Sequence, residues 1–261
     1  MRVLANNRSL LYSLIRREIV GRYRGSIMGI LWSLFNPLLM LVVYTFVFSV
    51  VFKARWIGGS DSKTEFALVL FSGLMVYSLF SECVIRAPSL IIGNVNYVKK
   101  VIFPLELLPV VALGSAIFHF SISLLVWIVF FVTFFGAPKA EILLLPLVVL
   151  PLMIATLGVS WLLASLGVYL RDVTQIVGVV TTVLMFLSPI FYPIAALPEA
   201  YQPFMQFSPL TFVVEQTRDV MIWGNGIKWL DWSIRMFISI IVFWLGLAWF
   251  QKTRKGFADV L

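Results

Sequence analysis

Charge is scarce in this 261-residue chain: Asp, Glu, Lys and Arg make up 12% of it, where a soluble domain carries about 25%. Twenty Lys and Arg with twelve Asp and Glu are too few to solvate a globule of this size, which argues against a soluble enzyme. Cysteine occurs once, as Cys83, so no internal disulfide exists. Histidine also occurs once, as His119. There is no GxxxxGK phosphate loop, no HExxH and no metal-spaced His or Cys cluster, so nucleotide hydrolysis and metal catalysis have no signature here. No loop carries the paired carboxylates that a membrane-embedded glycosyl- or phosphotransferase needs.

What fills the chain is apolar. Hydrophobic residues reach 61% and the mean hydropathy is +1.00, which excludes disorder and marks an integral membrane protein. A spanning helix takes about 20 residues to cross about 30 Å of hydrocarbon, so the length holds roughly five to seven spans and little else. An energy source then lies on another chain or in an ion gradient. The net charge of +8 does not point to nucleic acid, because in a membrane chain the placement of charge matters more than its sum. The basic stretch from Arg2 to Arg24 is too long for the head of a signal peptide, and the N-terminus is expected to be retained.

The hydropathy pattern predicts an all-α membrane protein forming one transmembrane domain over residues 1–261. Residues 9–24 project an apolar arc of Leu10, Leu11, Leu14, Ile15 and Ile19 against Arg16, Arg17 and Arg24. Glu18 and Arg22 interrupt the apolar side. The segment suits a basic helix in the headgroup plane, with an ordinary cytosolic helix as the alternative. Six spans follow, at about 30–52, 66–92, 106–135, 141–169, 173–192 and 233–250. Pro37 predicts a kink after Asn36 in the first. Residues 194–225 are cut by Pro198, Pro203 and Pro209 and fit two short helices that dip into the membrane and return. With both termini cytoplasmic, the inner side collects twelve basic residues against four acidic, and the outer side seven of each. No internal repeat of the kind common among secondary transporters is present.

Glu82 and Arg86 remain inside the second span. Counting from residue 66 at about 1.5 Å per residue, they lie about 24 and 30 Å down, near the cytoplasmic headgroups. An intramembrane charge is costly and marks a functional candidate; the alternative is an i,i+4 pair that compensates itself. His119, in SAIFHFSIS, reads as a buried imidazole with its hydrogen bonds satisfied.

The run REIVGRYRGSIMGILWSLFNPLLMLVVYTFVFSVVF (17–52) resembles the opening of the polysaccharide-exporting ABC transporter permeases, which serve O-antigen, capsule and teichoic acid export. NVNYVKKVIFPLELLPV (94–110), GVYLRDV (167–173), LSPIFYP (187–193) and SPLTFVVEQTRD (208–219) match in the same order. The likeness covers nearly the whole chain and is nearest to the O-antigen permeases. It implies a bacterial inner-membrane homodimer bound to two separate ATPase subunits. It further implies an undecaprenyl-linked polysaccharide as cargo and a channel between the protomers. Mg-ATP would sit on the partner subunit, with no cofactor on this chain and no nucleic-acid partner.

On that resemblance Asn96, Tyr97, Val98, Lys99, Lys100 and Phe103 would dock the ATPase, with Arg171 and Asp172 as a lesser contact. Lys99 and Lys100 read equally as plain positive-inside charge. Arg16, Arg17, Arg24, Glu82 and Arg86 would meet the substrate as it enters, Arg86 suiting bidentate contact with a pyrophosphate. Trp32, Tyr44, Tyr77, Phe186, Phe191 and Tyr192 would offer stacking surfaces to passing sugars, unless they form interfacial belts or pack against lipid. Glu215 and Arg218 would form polar contacts at an outer gate. The competing function is a gradient-driven carrier or flippase, for which only Glu82 and His119 offer ionisable groups at depth.

Overall fold

Long runs of Leu, Val, Ile and Phe, punctuated by proline and glycine, leave few options but helices, and every regular element among the described residues is helical. The computed structural model describes residues 7–47, 63–99, 103–206 and 208–261. Helix α1 is Arg8–Arg22. A 3-10 turn at Gly29–Leu31 runs into α2, Trp32–Tyr44. Helix α3 is Lys63–Arg86 and continues through a 3-10 turn at Ala87–Ser89. Then come α4 (Val95–Lys99), α5 (Leu107–Phe135), α6 (Leu145–Tyr169) and α7 (Val173–Leu187). Two short helices, α8 (Gln202–Gln206) and α9 (Pro209–Arg218), precede α10 (Trp229–Thr253) and the terminal α11 (Phe257–Val260).

Local chemistry sets these boundaries. Helix α5 stops at Gly136, whose φ of 84° a side chain would disfavour. Ser208 caps α9 by accepting from the Leu210 amide at 3.4 Å, and Pro209 occupies the first turn, where its missing N–H costs nothing. Helix α2 continues across Pro37, which leaves the Ser33 carbonyl without its helical donor.

Helix α3 is the axis of the bundle. It packs against α5, α6, α7 and α9, and 78% of its most apolar stretch is buried, against 11% for 29–47 and for 107–135. Trp127 of α5 donates to the Leu68 carbonyl of α3 at 3.1 Å, and Trp232 of α10 to Leu147 of α6 at 2.8 Å. Helices α6 and α10 form the closest crossing. A Cβ on Gly246 would lie 2.0 Å from the Gly158 carbonyl oxygen, so only glycine permits the approach.

Among the described residues, five segments are long and apolar enough to cross a membrane: Gly29–Val47, Thr64–Ser89, Leu107–Phe135, Ala140–Tyr169 and Trp229–Val260. The expected fifth span, 173–192, is helical only to Leu187. Ser188 precedes Pro189, whose ring pushes it out of the α region, and it is extended at ψ 150°. The 15 residues of α7 cover about 22 Å, short of a full crossing. The end of the first span (48–52), the loop to residue 62 and Lys100 lie outside the described residues.

Candidate functional site

The charges that interrupt the apolar side of α1 are the ones it turns toward the bundle. Glu18 and Arg22 stand four residues apart on α1, and Glu82 and Arg86 repeat that spacing on α3. The two helices pair them crosswise, Arg22 donating to Glu82 and Arg86 to Glu18. Within α3, Arg86 stays 3.8 Å from Glu82, so the self-compensating i,i+4 pair expected from the spacing gives way to closer partners on α1. Helix α1 is seated by Ile15, which fills the space that a side chain at Gly114 of α5 would take.

His119 of α5 closes the network. Its Nδ1 lies 2.9 Å from Glu82 Oε2, and its Nε2 lies 2.9 Å from the Tyr23 hydroxyl. The consistent assignment has Nδ1–H donating to the carboxylate and Nε2 accepting from Tyr23. Burial pushes the Tyr23 hydroxyl up from its ordinary pKa, as does Glu82, while Arg22 opposes them, so Tyr23 remains a donor at neutral pH. The Glu82 side chain is 14% exposed and Arg22 46%, which places the network at the edge of solvent rather than in a sealed core.

Directly beyond the network lies a cavity of about 290 Å³ bounded by α2, α3, α5 and α7. Ser33, Asn36, Pro37 and Tyr44 form one wall, Phe71, Met75, Tyr77 and Ser78 another, with Glu82 and His119 at one end. Its surface is therefore amphiphilic, with aromatic and thioether groups beside hydroxyls, an amide and a charged end. A second, open cleft is lined by Arg17, Glu18, Gly21, Arg22 and Arg86, so Arg22 borders both spaces.

The aromatic residues anticipated along a channel divide. Tyr44 and Tyr77 share the cavity with Glu82, Tyr77 donating to the Thr181 carbonyl at 3.0 Å. Phe186, in the last turn of α7, gathers Phe191 and Tyr192 from beyond its end: Phe186 stacks on Phe191 at 5.6 Å, and Tyr192 donates to the Phe186 carbonyl at 2.7 Å. Phe191 is buried within the chain, so it offers no surface to a passing sugar in this arrangement. Trp32 is exposed and stands apart, edge-on to Phe35.

Arg218, expected at an outer gate, is likewise held inside the bundle. It is 4% exposed and donates to the carbonyls of Val69 (3.1 Å), Pro189 (2.6 Å) and Ile190 (2.8 Å), tying α9 to α3 and to the turn after α7. Burial lowers its pKa to about 9, against the pull of Glu215, so it stays charged at neutral pH. Glu215 faces a separate pocket with Gln216, Lys228, Asp231 and Arg235, and burial pushes its carboxyl up while Arg218 and Lys228 hold it back.

On the opposite surface Tyr97 of α4 stacks on Phe103 at 4.3 Å and accepts a hydrogen bond from Arg17 at 2.7 Å. Tyr97, Val98 and Phe103 pack onto a cluster containing Ile91, Leu105, Leu108 and Phe257, leaving Asn96 and Lys99 exposed. Arg171 and Asp172 are exposed in the turn after α6. Arg16 and Arg24 are exposed and lie outside the charge network, whereas Arg17 reaches α4. Sequence reasoning missed Glu18, Arg22, Tyr23 and His119 as one unit; the repeated Glu-x-x-x-Arg spacing on two helices was the available signal.

Comparison with known proteins adds an independent line. The profile of a family described as "ABC-2 type transporter" matches residues 9–222. The chain is similar to an O-antigen export system permease protein RfbA of Myxococcus xanthus, 28% identical over 261 residues, covering 99% of this chain and 98% of the relative. It is also similar to an RfbA of Klebsiella pneumoniae, 26% identical, with 97% and 95% covered. The polysialic acid transport protein KpsM of Escherichia coli is 22% identical, with 94% and 93% covered.

Proposed function

This chain belongs to the ABC-2 type transporter family, and on that premise we propose that it is the membrane subunit of an ATP-driven polysaccharide exporter. Two copies would enclose a channel across the bacterial inner membrane, with both termini cytoplasmic and hydrolysis on separate ATPase subunits. The cargo is a polysaccharide, as the names of the similar permeases suggest, and in this reading it is carried on undecaprenyl pyrophosphate. The chain acts as one transmembrane domain of six crossings. Helix α7 and the 188–192 turn together supply the fifth, and α8 and α9 dip into the outer side and return. Residues 96–100 and Phe103 receive the ATPase, with Arg171 and Asp172 as a lesser contact.

The observation that carries this reading is the crosswise charge network at the mouth of the amphiphilic cavity. Arg22 and Arg86 are held by Glu82 and Glu18, and a pyrophosphate is the ligand class that competes with two carboxylates for two guanidinium groups. Its oxygens would replace those of the carboxylates and release α1 from α3, while Tyr44 and Tyr77 face the incoming glycolipid.

A second reading has one observation in its favour: the Glu82–His119 contact is a carboxylate–imidazole pair able to exchange a proton, as a gradient-driven carrier would need. One experiment separates the two. The chain is reconstituted in vesicles with and without its ATPase, and export of an undecaprenyl-pyrophosphate oligosaccharide is measured with ATP or with a pH gradient. Export is expected only with ATPase and ATP, with Arg86→Ala slowing it while complex yield is unchanged. Export driven by the gradient alone would establish the carrier, and an unaltered rate in Arg86→Ala would remove the pyrophosphate contact.

A further inference from the structure

The tail beyond the last long helix does not hang free. Phe257 is 0% exposed, edge-on to Phe250 at 5.6 Å and tilted against the Tyr169 ring at 6.0 Å. Helix α11 packs on both α4 and α6. Just before it, Arg254 forms an ion pair with Glu106, the residue that ends the connection from α4 to α5. Glu106 is 5% exposed, and its carbonyl also accepts from Trp161 of α6 at 3.1 Å. At the other connection, the Tyr169 hydroxyl donates to the Thr253 carbonyl at 2.9 Å, and Ser165 and Thr253 share a hydroxyl contact at 2.7 Å.

Both surface connections on this side, 87–106 and 169–173, are therefore fastened to the same few residues at the C-terminal end. Among the described residues no hydrogen bond runs directly from one connection to the other; Pro88 packs on Gly167 at the end of α6, and the polar ties run through Thr253 and Arg254, with Phe257 packed between. A packed element joined at several points moves as a body, whereas a loop held only by its own ends absorbs displacement.

We propose that residues 253–261 form a brace that locks the two ATPase-facing connections into one rigid unit and passes motion at α4 on to α6 and α10. Thr253, Arg254 and Phe257 are positioning residues in this account: they act through the connections and need not touch the ATPase or the cargo. The proposal rests on the exporter reading for its purpose, but its mechanical content does not need that reading to be right.

The hallmark of a brace is an effect at the connection that a substitution does not touch. Tyr169→Phe removes one exposed hydroxyl and leaves the core intact; Arg254→Gln removes the ion pair, and Arg254→Lys keeps the charge. Hydrogen exchange of the full-length chain in lipid nanodiscs is followed over 95–99 and 169–173. Tyr169→Phe is expected to speed exchange at 95–99, and Arg254→Gln at 169–173, each at least threefold, with Arg254→Lys close to the parent. If Arg254→Gln fails to fold, because it disturbs a buried carboxylate, Tyr169→Phe decides alone. Faster exchange confined to the segment each variant touches overturns the brace. With the ATPase assembled, glycan exported per ATP hydrolysed should fall severalfold in Tyr169→Phe at unchanged complex yield, and an unchanged ratio overturns the transmission role. A parent chain that exports without any ATPase would sink the exporter reading and leave the exchange result standing.

Discussion

Neutralising the rungs between α1 and α3 one at a time tests whether they latch the helix. A fully buried ion pair that loses one partner destabilises by about 3–5 kcal/mol, whereas an exposed pair contributes about 0.2–1 kcal/mol. The Arg22–Glu82 rung lies between these limits, with side chains 46% and 14% exposed, and Glu82 has a second partner in His119. Its coupling energy is expected to be about 1.4 kcal/mol, a roughly tenfold change in the population of detached α1. The Glu18–Arg86 rung, 35% and 31% exposed, should contribute less than half of that, about 0.5 kcal/mol. The assay is a double-mutant cycle of Arg22→Gln, Glu82→Gln and the pair. Exchange rates of the α1 amides are converted to opening free energies. Helix α1 should open more readily in each single mutant, and the second substitution should add little. Strict additivity within about 0.3 kcal/mol would show that the two charges ignore each other and would refute the latch.

Arg218→Met should lower stability by about 2–4 kcal/mol, because charged hydrogen bonds contribute about 1.5–3 kcal/mol each and the relief of a buried charge offsets part of the loss. Thermal unfolding in detergent measures it, and an unchanged midpoint would show that the three carbonyls are equally well served otherwise. Gly246→Ala should force α6 and α10 apart at a cost of about 1–3 kcal/mol, because the new methyl meets backbone rather than a movable side chain. Gly21→Ala, with open space around it, is the control and should be neutral or stabilising by up to about 1 kcal/mol in the same melt.

The membrane character and the all-helical class were legible because both follow from averages over many residues, which no single packing choice overturns. The family was legible because its motifs run in order along the chain, and the profile match over 9–222 agrees. What was not legible depends on rotation about a helix axis. Glu18 and Arg22 look like blemishes on an apolar face until α3 supplies Arg86 and Glu82 opposite them. Arg218 reads as an outer-gate contact because nothing in a sequence tells an arginine facing a channel from one that binds three backbone carbonyls. Phe191 looks like a channel residue by type and lies in the core because the turn at Ser188 and Pro189 folds it back on Tyr44 and Phe186.

The network's charge balance explains how a latch and a receptor would be one object. Glu18 and Glu82 offset Arg22 and Arg86, so the closed arrangement carries little net charge into the membrane edge and costs little there. An arriving diphosphate would add negative charge that Arg22 and Arg86, with Arg17 beside them in the cleft, could answer, so its binding would depend on how far the carboxylates yield those two guanidinium groups. By linkage, whatever the ligand gains in the open arrangement is the free energy available to open it. The latch must therefore be weak to be useful: the Arg22–Glu82 rung adds only about 1.4 kcal/mol to the closed arrangement, which a few charge-assisted hydrogen bonds are enough to offset. A fully buried pair at this position would hold α1 too tightly for any headgroup to displace, which is a physical reason for Arg22 to sit at the solvent edge rather than beneath it.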